Sequence, residues 1–234
     1  FLFVTGFTTP TTLHFAKGGT DEREQLKSLP AYFDAAGLEV TQHEATSKDG
    51  TKIPYFQVMR KDAKLDGKNP TILYGYGGFE ISMVPSYSGF VGNGWLAKGG
   101  VWVLSNLRGG GEFGPAWNQV ARREGRQKTH DDFAAVAEDL IRRRITSPAK
   151  LGILGGSQGG LLVSATMLQR PELFGAVVAT VPLMDMRRYH RLLAGHSWIG
   201  EYGDPDIPGD WAFISKYSPY QNVLRGRPYP KMLI

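Results

Sequence analysis

The stretch LGILGGSQGGLLVS (151–164) decides the fold of this chain. The apolar run 151–154 is typical of a buried strand, and the residues Gln158–Gln169 form a pattern typical of a helix. Between them lies G-x-S-x-G, with Ser157 at its centre. A serine in a tight turn between strand and helix exposes its hydroxyl beside backbone N–H groups, as acyl transfer requires.

The motif alone is weak evidence, since 30 of the residues are glycine and such a string arises easily by chance. Its position between a strand and a helix makes the interpretation more specific. A phosphate-binding loop is the alternative, but no lysine follows at the required spacing and the pattern is not G-x-G-x-x-G. We therefore predict that Ser157 is a nucleophile.

The segments before the motif allow the strands to be counted. The runs 38–47 and 51–60 have strand character and flank the turn residues KDG, which predicts a hairpin. Short apolar strands are predicted at Thr71–Tyr74 and 100–105, so the strand before Ser157 is the fifth. The α/β-hydrolase fold places its nucleophile after its fifth strand.

Further segments alternate in type along the chain, and the polar loop 61–70 separates the hairpin from them. We predict helices at 129–144 and 186–194, and strands at 176–181 and 231–234. Such alternation favours an α/β fold with a mostly parallel sheet covered on both faces.

A glycine-rich turn, YGYGGF (74–79), follows the third predicted strand. In α/β-hydrolases this position supplies the second oxyanion donor. The hydroxyl of Tyr76 is the candidate here, because beside Ser157 a catalytic interpretation is stronger than that of an aromatic side chain wedged into a turn.

Composition excludes several classes of function. The chain has no cysteine, so disulfides, thiolate metal sites and a cysteine nucleophile are absent. The net charge is +5, but the densest basic run, 142–144, lies at a predicted helix end, which is typical of a solvated surface. We predict no metal, no cofactor, no nucleic-acid partner and no membrane span; a cytoplasmic and a periplasmic location both remain open.

Both ends of the chain resemble strand interiors, FLFVT (1–5) and PKMLI (230–234), so we expect an internal segment of a longer protein. Residues 1–17 are predicted to end a preceding β-rich domain. Residues 18–37, polar with possible helical stretches, are predicted to cross between domains. The hydrolase domain is predicted at 38–234, incomplete at its C-terminus.

Six motifs together resemble the catalytic domain of the prolyl oligopeptidase family. They are KDGTKIP (48–54), YGYGGF (74–79), NLRGGGEFG (106–114), GGSQGGLL (155–162), RPELFGAV (170–177) and GHSWIGEYGDP (195–205). The resemblance runs from Leu38 to the end of the chain. The preceding segment, 1–15, resembles the last strand of the family's β-propeller.

The resemblance implies a serine peptidase whose propeller admits only short peptides. It implies that Ser157 is the nucleophile and that the Tyr76 hydroxyl and the Gln158 backbone N–H bind the oxyanion. A proline-binding pocket is implied at Phe79, Val181, Leu183, Trp198 and Tyr202. Within this pocket the indole of Trp198 is expected to stack on the proline ring.

The sequence departs from the family's pattern in three respects. Gln158 replaces an asparagine, and Leu183 replaces a smaller valine. The family's catalytic aspartate follows the strand that begins at 230–234, and its histidine comes later still. The resemblance gives Asp185 a structural role, and we interpret the chain's five histidines (His14, His43, His130, His190 and His196) as structural or surface residues. The chain alone is therefore predicted to be inactive.

Three alternatives remain. A lipase or esterase would share the serine motif, but the YGYGGF turn and Trp198 disfavour it. A peptidase similar to oligopeptidase B, cleaving after Arg or Lys, would require acidic pocket residues, and Glu201 and Asp204 are nearby in sequence. A non-enzymatic hydrolase-fold module is the third alternative, and a downstream aspartate and histidine would exclude it.

Overall fold

The computed structural model describes residues 1–234, which form two β-sheets. The smaller sheet is antiparallel and contains β1 (Leu2–Val4), β2 (Thr12–Ala16) and β3 (Arg23–Ser28). Residues 18–37 contain no helix, so the helical stretches considered there are wrong, and β3 forms at Arg23–Ser28 instead. Every residue of β3 is exposed; the strand forms because its backbone pairs with β2, which requires no apolar side chains.

The larger sheet has seven strands in the order β10-β9-β8-β6-β7-β5-β4. They are β4 (Leu38–Thr46), β5 (Lys52–Arg60), β6 (Thr71–Tyr74), β7 (Val101–Ser105), β8 (Leu151–Gly156), β9 (Ala176–Thr180) and β10 (Lys231–Leu233). The five strands β6 to β10 are mutually parallel. The strands β4 and β5 form the predicted antiparallel hairpin, and β5 also pairs antiparallel with β7. The mostly parallel sheet is confirmed, and so is the place of β8 as its fifth strand along the chain.

Seven α-helices surround this sheet. They are α1 (Gly89–Gly94), α2 (Pro115–Gln119), α3 (Gln127–Arg142), α4 (Gln158–Gln169), α5 (Ile199–Tyr202), α6 (Pro208–Ile214) and α7 (Pro219–Asn222). The helices α3 and α4 pack on one face of the sheet, where Phe133 and Leu162 share a 25-residue core with Ile153. The opposite face carries a smaller cluster around Trp102, against which Val91 of α1 packs. None of the helices has the length and apolar character needed to span a membrane.

The helix predicted at 186–194 is wrong, since this segment contains only a short 3-10 turn at Tyr189–Arg191. The carboxylate of Asp185 accepts hydrogen bonds from the backbone N–H of Arg187, at 3.0 Å, and from the side chain of Arg188, at 2.6 Å. The N–H of Arg188 also donates to the carbonyl of Asp185 at 3.3 Å, which closes a turn at the point where the helix was predicted to begin. The segment therefore forms a loop beyond the C-terminal end of β9.

Candidate active site

Ser157 lies at the turn between β8 and α4. Its φ of 55° is in the left-handed region, and its N–H donates to the carbonyl of Thr180 on β9 at 2.9 Å. The turn is tight: a Cβ at Gly155 would lie 2.2 Å from the carbonyl oxygen of Gly159, so only glycine fits there. This geometry presents the serine hydroxyl at the carboxyl edge of the sheet, as a nucleophile elbow requires.

The turn after β6 brings Tyr76 to the same place. Burial raises the pKa of the Tyr76 phenol above its ordinary value of 10.0, and the neighbouring Ser157 hydroxyl opposes part of that rise. The phenol therefore stays protonated at neutral pH and is available as a hydrogen-bond donor. The two predicted groups, far apart in sequence, are neighbours in the structure.

Gln158 is completely buried, and its side chain joins three parts of the site. Its Oε1 accepts a hydrogen bond from the Tyr202 hydroxyl at 2.5 Å. Its Nε2 donates weakly to the carbonyls of Tyr76 and Gly77, both at 3.4 Å. The sequence predicted only a backbone role for this residue, because nothing in the pattern indicates where its amide points.

Four of the five predicted pocket residues belong to one cluster. The ring of Phe79 lies edge-on to Trp198, with 6.4 Å between centroids, and edge-on to Tyr202, at 5.6 Å. Leu183 packs against the same cluster. Tyr202 is completely buried, so it lies beneath the pocket surface rather than on it.

Val181, the fifth predicted pocket residue, lies apart from this cluster. It follows β9, has a φ of 42°, and the residue is 82% exposed. Its role in the pocket stays a prediction.

A buried ion pair lies behind the pocket, and sequence reasoning did not find it. The guanidinium of Arg126, 0% exposed, contacts the carboxylate of Glu201. Glu201 Oε1 also accepts the N–H of Phe79 at 2.9 Å, and Oε2 lies 3.5 Å from Nε of Arg122. Glu201 is therefore fully engaged, which disfavours its use in binding a basic substrate side chain. Nothing in the sequence pattern distinguishes Arg126 from the surface arginines beside it.

No histidine of the chain forms a hydrogen bond with Ser157. His130 is buried between helices and lies 3.3 Å from Thr166, whereas His43 bonds to Thr41 at 2.8 Å. His190 bonds to Asp206 at 2.9 Å. Residues 1–234 therefore contain no base positioned to take the proton of Ser157.

Three side chains of types that can bind a metal lie together: His190, Asp204 and Asp206. One potential ligand atom from each lies within 4.8 Å of those of the other two. The guanidinium of Arg191 already bonds to Asp206 at 2.7 Å, which supplies the positive charge that a cation would bring. We assign no metal site there.

A strained serine after the fifth strand, facing a glycine-rich turn after the third, defines the α/β-hydrolase class. Within this class the chain belongs to the prolyl oligopeptidase family, whose sequence model matches residues 87–234. The fold and the family predicted from the motifs are therefore confirmed.

Relatives of the chain support this assignment over nearly its whole length. The Uncharacterized peptidase y4nA of Sinorhizobium fredii is 55% identical over 231 residues, which cover 99% of this chain and 32% of that protein. The Prolyl endopeptidase of Elizabethkingia meningoseptica is 37% identical over 98% of this chain and 33% of its own length. The chain thus spans about a third of the length of these curated relatives.

Solved structures share the fold closely. The structure of a post-proline cleaving enzyme from Rickettsia typhi superposes with a TM-score of 0.94 at 49% identity. The match covers 99% of this chain and 33% of that protein.

Proposed function

We propose that this chain supplies the nucleophile and the specificity pocket of a serine peptidase that cleaves short peptides after proline. The main support for the proposal is that Ser157, the Tyr76 phenol and the aromatic pocket lie close together at one edge of the sheet. The relatives named as a prolyl endopeptidase and as a post-proline cleaving enzyme support the same function.

The chemistry follows from the geometry of the elbow. The Oγ of Ser157 attacks the carbonyl carbon of the scissile bond while a base removes its proton. The Tyr76 hydroxyl and the N–H of Gln158 donate hydrogen bonds to the oxyanion of the tetrahedral intermediate. The protonated base then donates its proton to the nitrogen of the scissile bond, the C–N bond breaks, and the amine leaves an acyl-enzyme on Ser157. Water, deprotonated by the same base, then hydrolyses the ester.

The base and its carboxylate partner are proposed to come from residues that follow Ile234 in the full-length protein. In this fold the chain order is serine, then aspartate, then histidine. His190 and Asp185 do not replace them, since His190 bonds to Asp206 and Asp185 bonds to Arg188 and Gln221. On this proposal residues 1–234 alone are inactive.

The character of the pocket favours proline over a basic residue. Phe79 and Trp198 offer aromatic faces, and a flat apolar surface suits the rigid pyrrolidine ring. The Glu201 carboxylate already contacts two arginines and the N–H of Phe79. A lysine or arginine side chain of a substrate would find no free carboxylate from this residue.

The strands β1 and β2 are proposed to end a β-propeller domain, and β3, which pairs with β2, lies in the segment that follows. Residues 1–17 would end that domain, residues 18–37 would cross to the hydrolase domain, and residues 38–234 would form most of the hydrolase domain. The exposure of the apolar residues Phe1 and Phe3, at 85% and 69%, supports packing of this part of the chain against further parts of the protein.

Hydrolysis of three matched peptides by the full-length protein tests the proposal. The peptides carry proline, alanine or arginine before a chromogenic leaving group and are otherwise identical. We expect the highest kcat/KM for the proline peptide, and no hydrolysis by the Ser157→Ala variant. Preference for arginine would favour an enzyme similar to oligopeptidase B, and no hydrolysis of any peptide would favour a non-catalytic module.

A further inference from the structure

Arg126 is the largest completely buried side chain of the molecule, and it lies directly behind the oxyanion turn. Its Nη1 donates to the carbonyl of Gly77 at 2.8 Å. Its guanidinium also lies 5.2 Å from the centre of the Tyr202 ring. Gly77 follows Tyr76 in the chain, so this bond fixes the peptide group between Gly77 and Gly78, one residue beyond the proposed oxyanion donor.

Glu201, the partner of Arg126, extends the connection into the pocket. The same Oε1 atom that contacts Arg126 accepts the N–H of Phe79 at 2.9 Å. Glu201 lies on α5, next to Tyr202 and three residues after Trp198. A single carboxylate therefore joins the oxyanion turn to the helix that carries Tyr202 and follows Trp198.

Close contacts restrict the backbone of the oxyanion turn to the conformation observed. A Cβ at Gly109 would lie 2.4 Å from the carbonyl oxygen of Gly77 and 3.3 Å from Nη1 of Arg126. Phe79 and Glu80 both have a φ of 56°, a left-handed backbone that side-chain-bearing residues rarely adopt. A strained turn of this kind persists only where its surroundings determine it.

A contribution to the stability of the protein is a weak explanation for the presence of a buried ion pair. Desolvating two charges costs free energy, and a buried ion pair can often be replaced by apolar residues without loss of stability. The hydrogen bonds from the pair to the turn, at Gly77 and Phe79, are what an apolar replacement would lack.

We propose that the Arg126–Glu201 pair is a positioning device that places the Tyr76 phenol opposite Ser157 and the Phe79 ring in the pocket at the same time. The inference rests on the proposed function. Neither Arg126 nor Glu201 is proposed to contact the substrate. Without the pair Tyr76 is still present, but the turn that orients its phenol loses the hydrogen bonds that hold it in place.

A double-mutant cycle with Tyr76→Phe in the full-length protein tests the coupling. Arg126→Met with Glu201→Leu removes both charges together, so neither is left buried and unpaired. With Tyr76 present, we expect kcat to fall about tenfold or more, out of the roughly 10²–10³-fold that one oxyanion donor supplies. In the Tyr76→Phe background the same change should lower kcat by less than about twofold, because there is no phenol left to position. Equal fold-changes in both backgrounds would overturn the proposal.

A control and a second variant separate positioning from general loss of structure. Tyr55→Phe removes another buried hydrogen bond, from the Tyr55 hydroxyl to Asp139 at 2.5 Å, away from the oxyanion turn. It should lower the melting temperature without changing kcat. If the double variant does not fold, Glu201→Gln, which retains an oxygen for the Phe79 N–H, should give a smaller fall in kcat that again disappears in the Tyr76→Phe background. A fall that persists there would contradict positioning.

A crystal structure of the full-length double variant provides a readout independent of substrate. We expect the phenol oxygen of Tyr76 to move away from Ser157, while in Tyr55→Phe it stays in place. An unmoved phenol would overturn the inference even if the enzyme cleaves after proline. Failure of the wild-type protein to cleave a proline peptide would instead contradict the proposed function.

Discussion

The hydroxyl of Tyr202 donates a hydrogen bond to Oε1 of Gln158 across 2.5 Å, and both side chains are completely buried. The bond joins α5, which borders the pocket, to the residue directly after Ser157. Burial raises the pKa of the Tyr202 phenol well above its usual value, so the phenol remains a donor at neutral pH. The site thus contains a polar link between its pocket and its nucleophile elbow.

Breaking this link on one side should destabilise the protein more than removing it entirely. Gln158→Met leaves the buried Tyr202 hydroxyl without a partner, which costs about 1–3 kcal/mol. Gln158→Met combined with Tyr202→Phe removes donor and acceptor together and should recover much of that loss. Urea unfolding of the full-length protein measures the free energies, and losses that simply add in the double variant would contradict this account.

Tyr76→Phe should lower kcat by roughly 10²–10³-fold, corresponding to about 2.7–4 kcal/mol, because it removes one oxyanion donor. KM should change little, since the ground-state carbonyl gains less from this bond than the oxyanion does. Tyr74→Phe is the matched control, because Tyr74 is the first residue of the same turn but its ring stacks on Trp102, with 5.7 Å between centroids. Steady-state kinetics with a proline peptide give both constants, and a near-normal kcat in Tyr76→Phe would remove this residue from the mechanism.

Trp198→Ala should reduce the preference for proline. Aromatic contacts add about 0.5–1.5 kcal/mol beyond the burial of area, and the alanine variant loses the face on which the pyrrolidine ring is expected to rest. We therefore expect kcat/KM to fall far more for the proline peptide than for the alanine peptide. Trp198→Phe, which keeps an aromatic ring, should retain part of the preference.

Circular dichroism on the same samples establishes that the Trp198 variants are folded. A ratio of proline to alanine hydrolysis that stays at the wild-type value in Trp198→Ala would show that this residue only packs beneath a loop.

His130 should make the protein less stable in acid. Burial lowers the pKa of this histidine from 6.5 to about 3, so the native state keeps it neutral over a range in which the unfolded chain binds a proton. As the pH falls from about 6.5 towards about 3, His130 therefore reduces the free energy of unfolding by at most about 1.4 kcal/mol per pH unit.

The pH dependence of unfolding in His130→Gln isolates this contribution. Between these pH values the variant should lose less stability than the wild-type protein does, whereas His196→Gln, at an exposed position, should follow the wild type. Parallel curves for His130→Gln and the wild type would contradict the assignment.

Local patterns were sufficient to predict most of the fold. Both the strand Thr71–Tyr74 and the helix Gln158–Gln169 lie at their predicted positions, because apolar runs bounded by glycine and polar residues leave little choice of conformation. The predictions failed where side-chain or sheet contacts override local preference. Asp185 turns the chain at 186–194, and backbone pairing with β2 makes 23–28 a strand.

The site could be predicted only in part, for a related reason. Motifs identify residues that carry chemistry, such as Ser157 and Tyr76, since their spacing relative to strands is characteristic. The Arg126–Glu201 pair joins segments 75 residues apart and has no local signature. The side-chain bonds of Gln158 depend equally on contacts between distant segments.

Ser157 is proposed to be a nucleophile activated by a base from outside residues 1–234. Mass spectrometry after treatment with a fluorophosphonate probe tests this claim most directly, in the full-length protein, its Ser157→Ala variant and the 234-residue chain. We predict a single modification at Ser157 in the full-length protein, none in the variant and almost none in the 234-residue chain, because serine without a base is weakly nucleophilic. Labelling that persists in Ser157→Ala, or strong labelling of the 234-residue chain, would contradict the account.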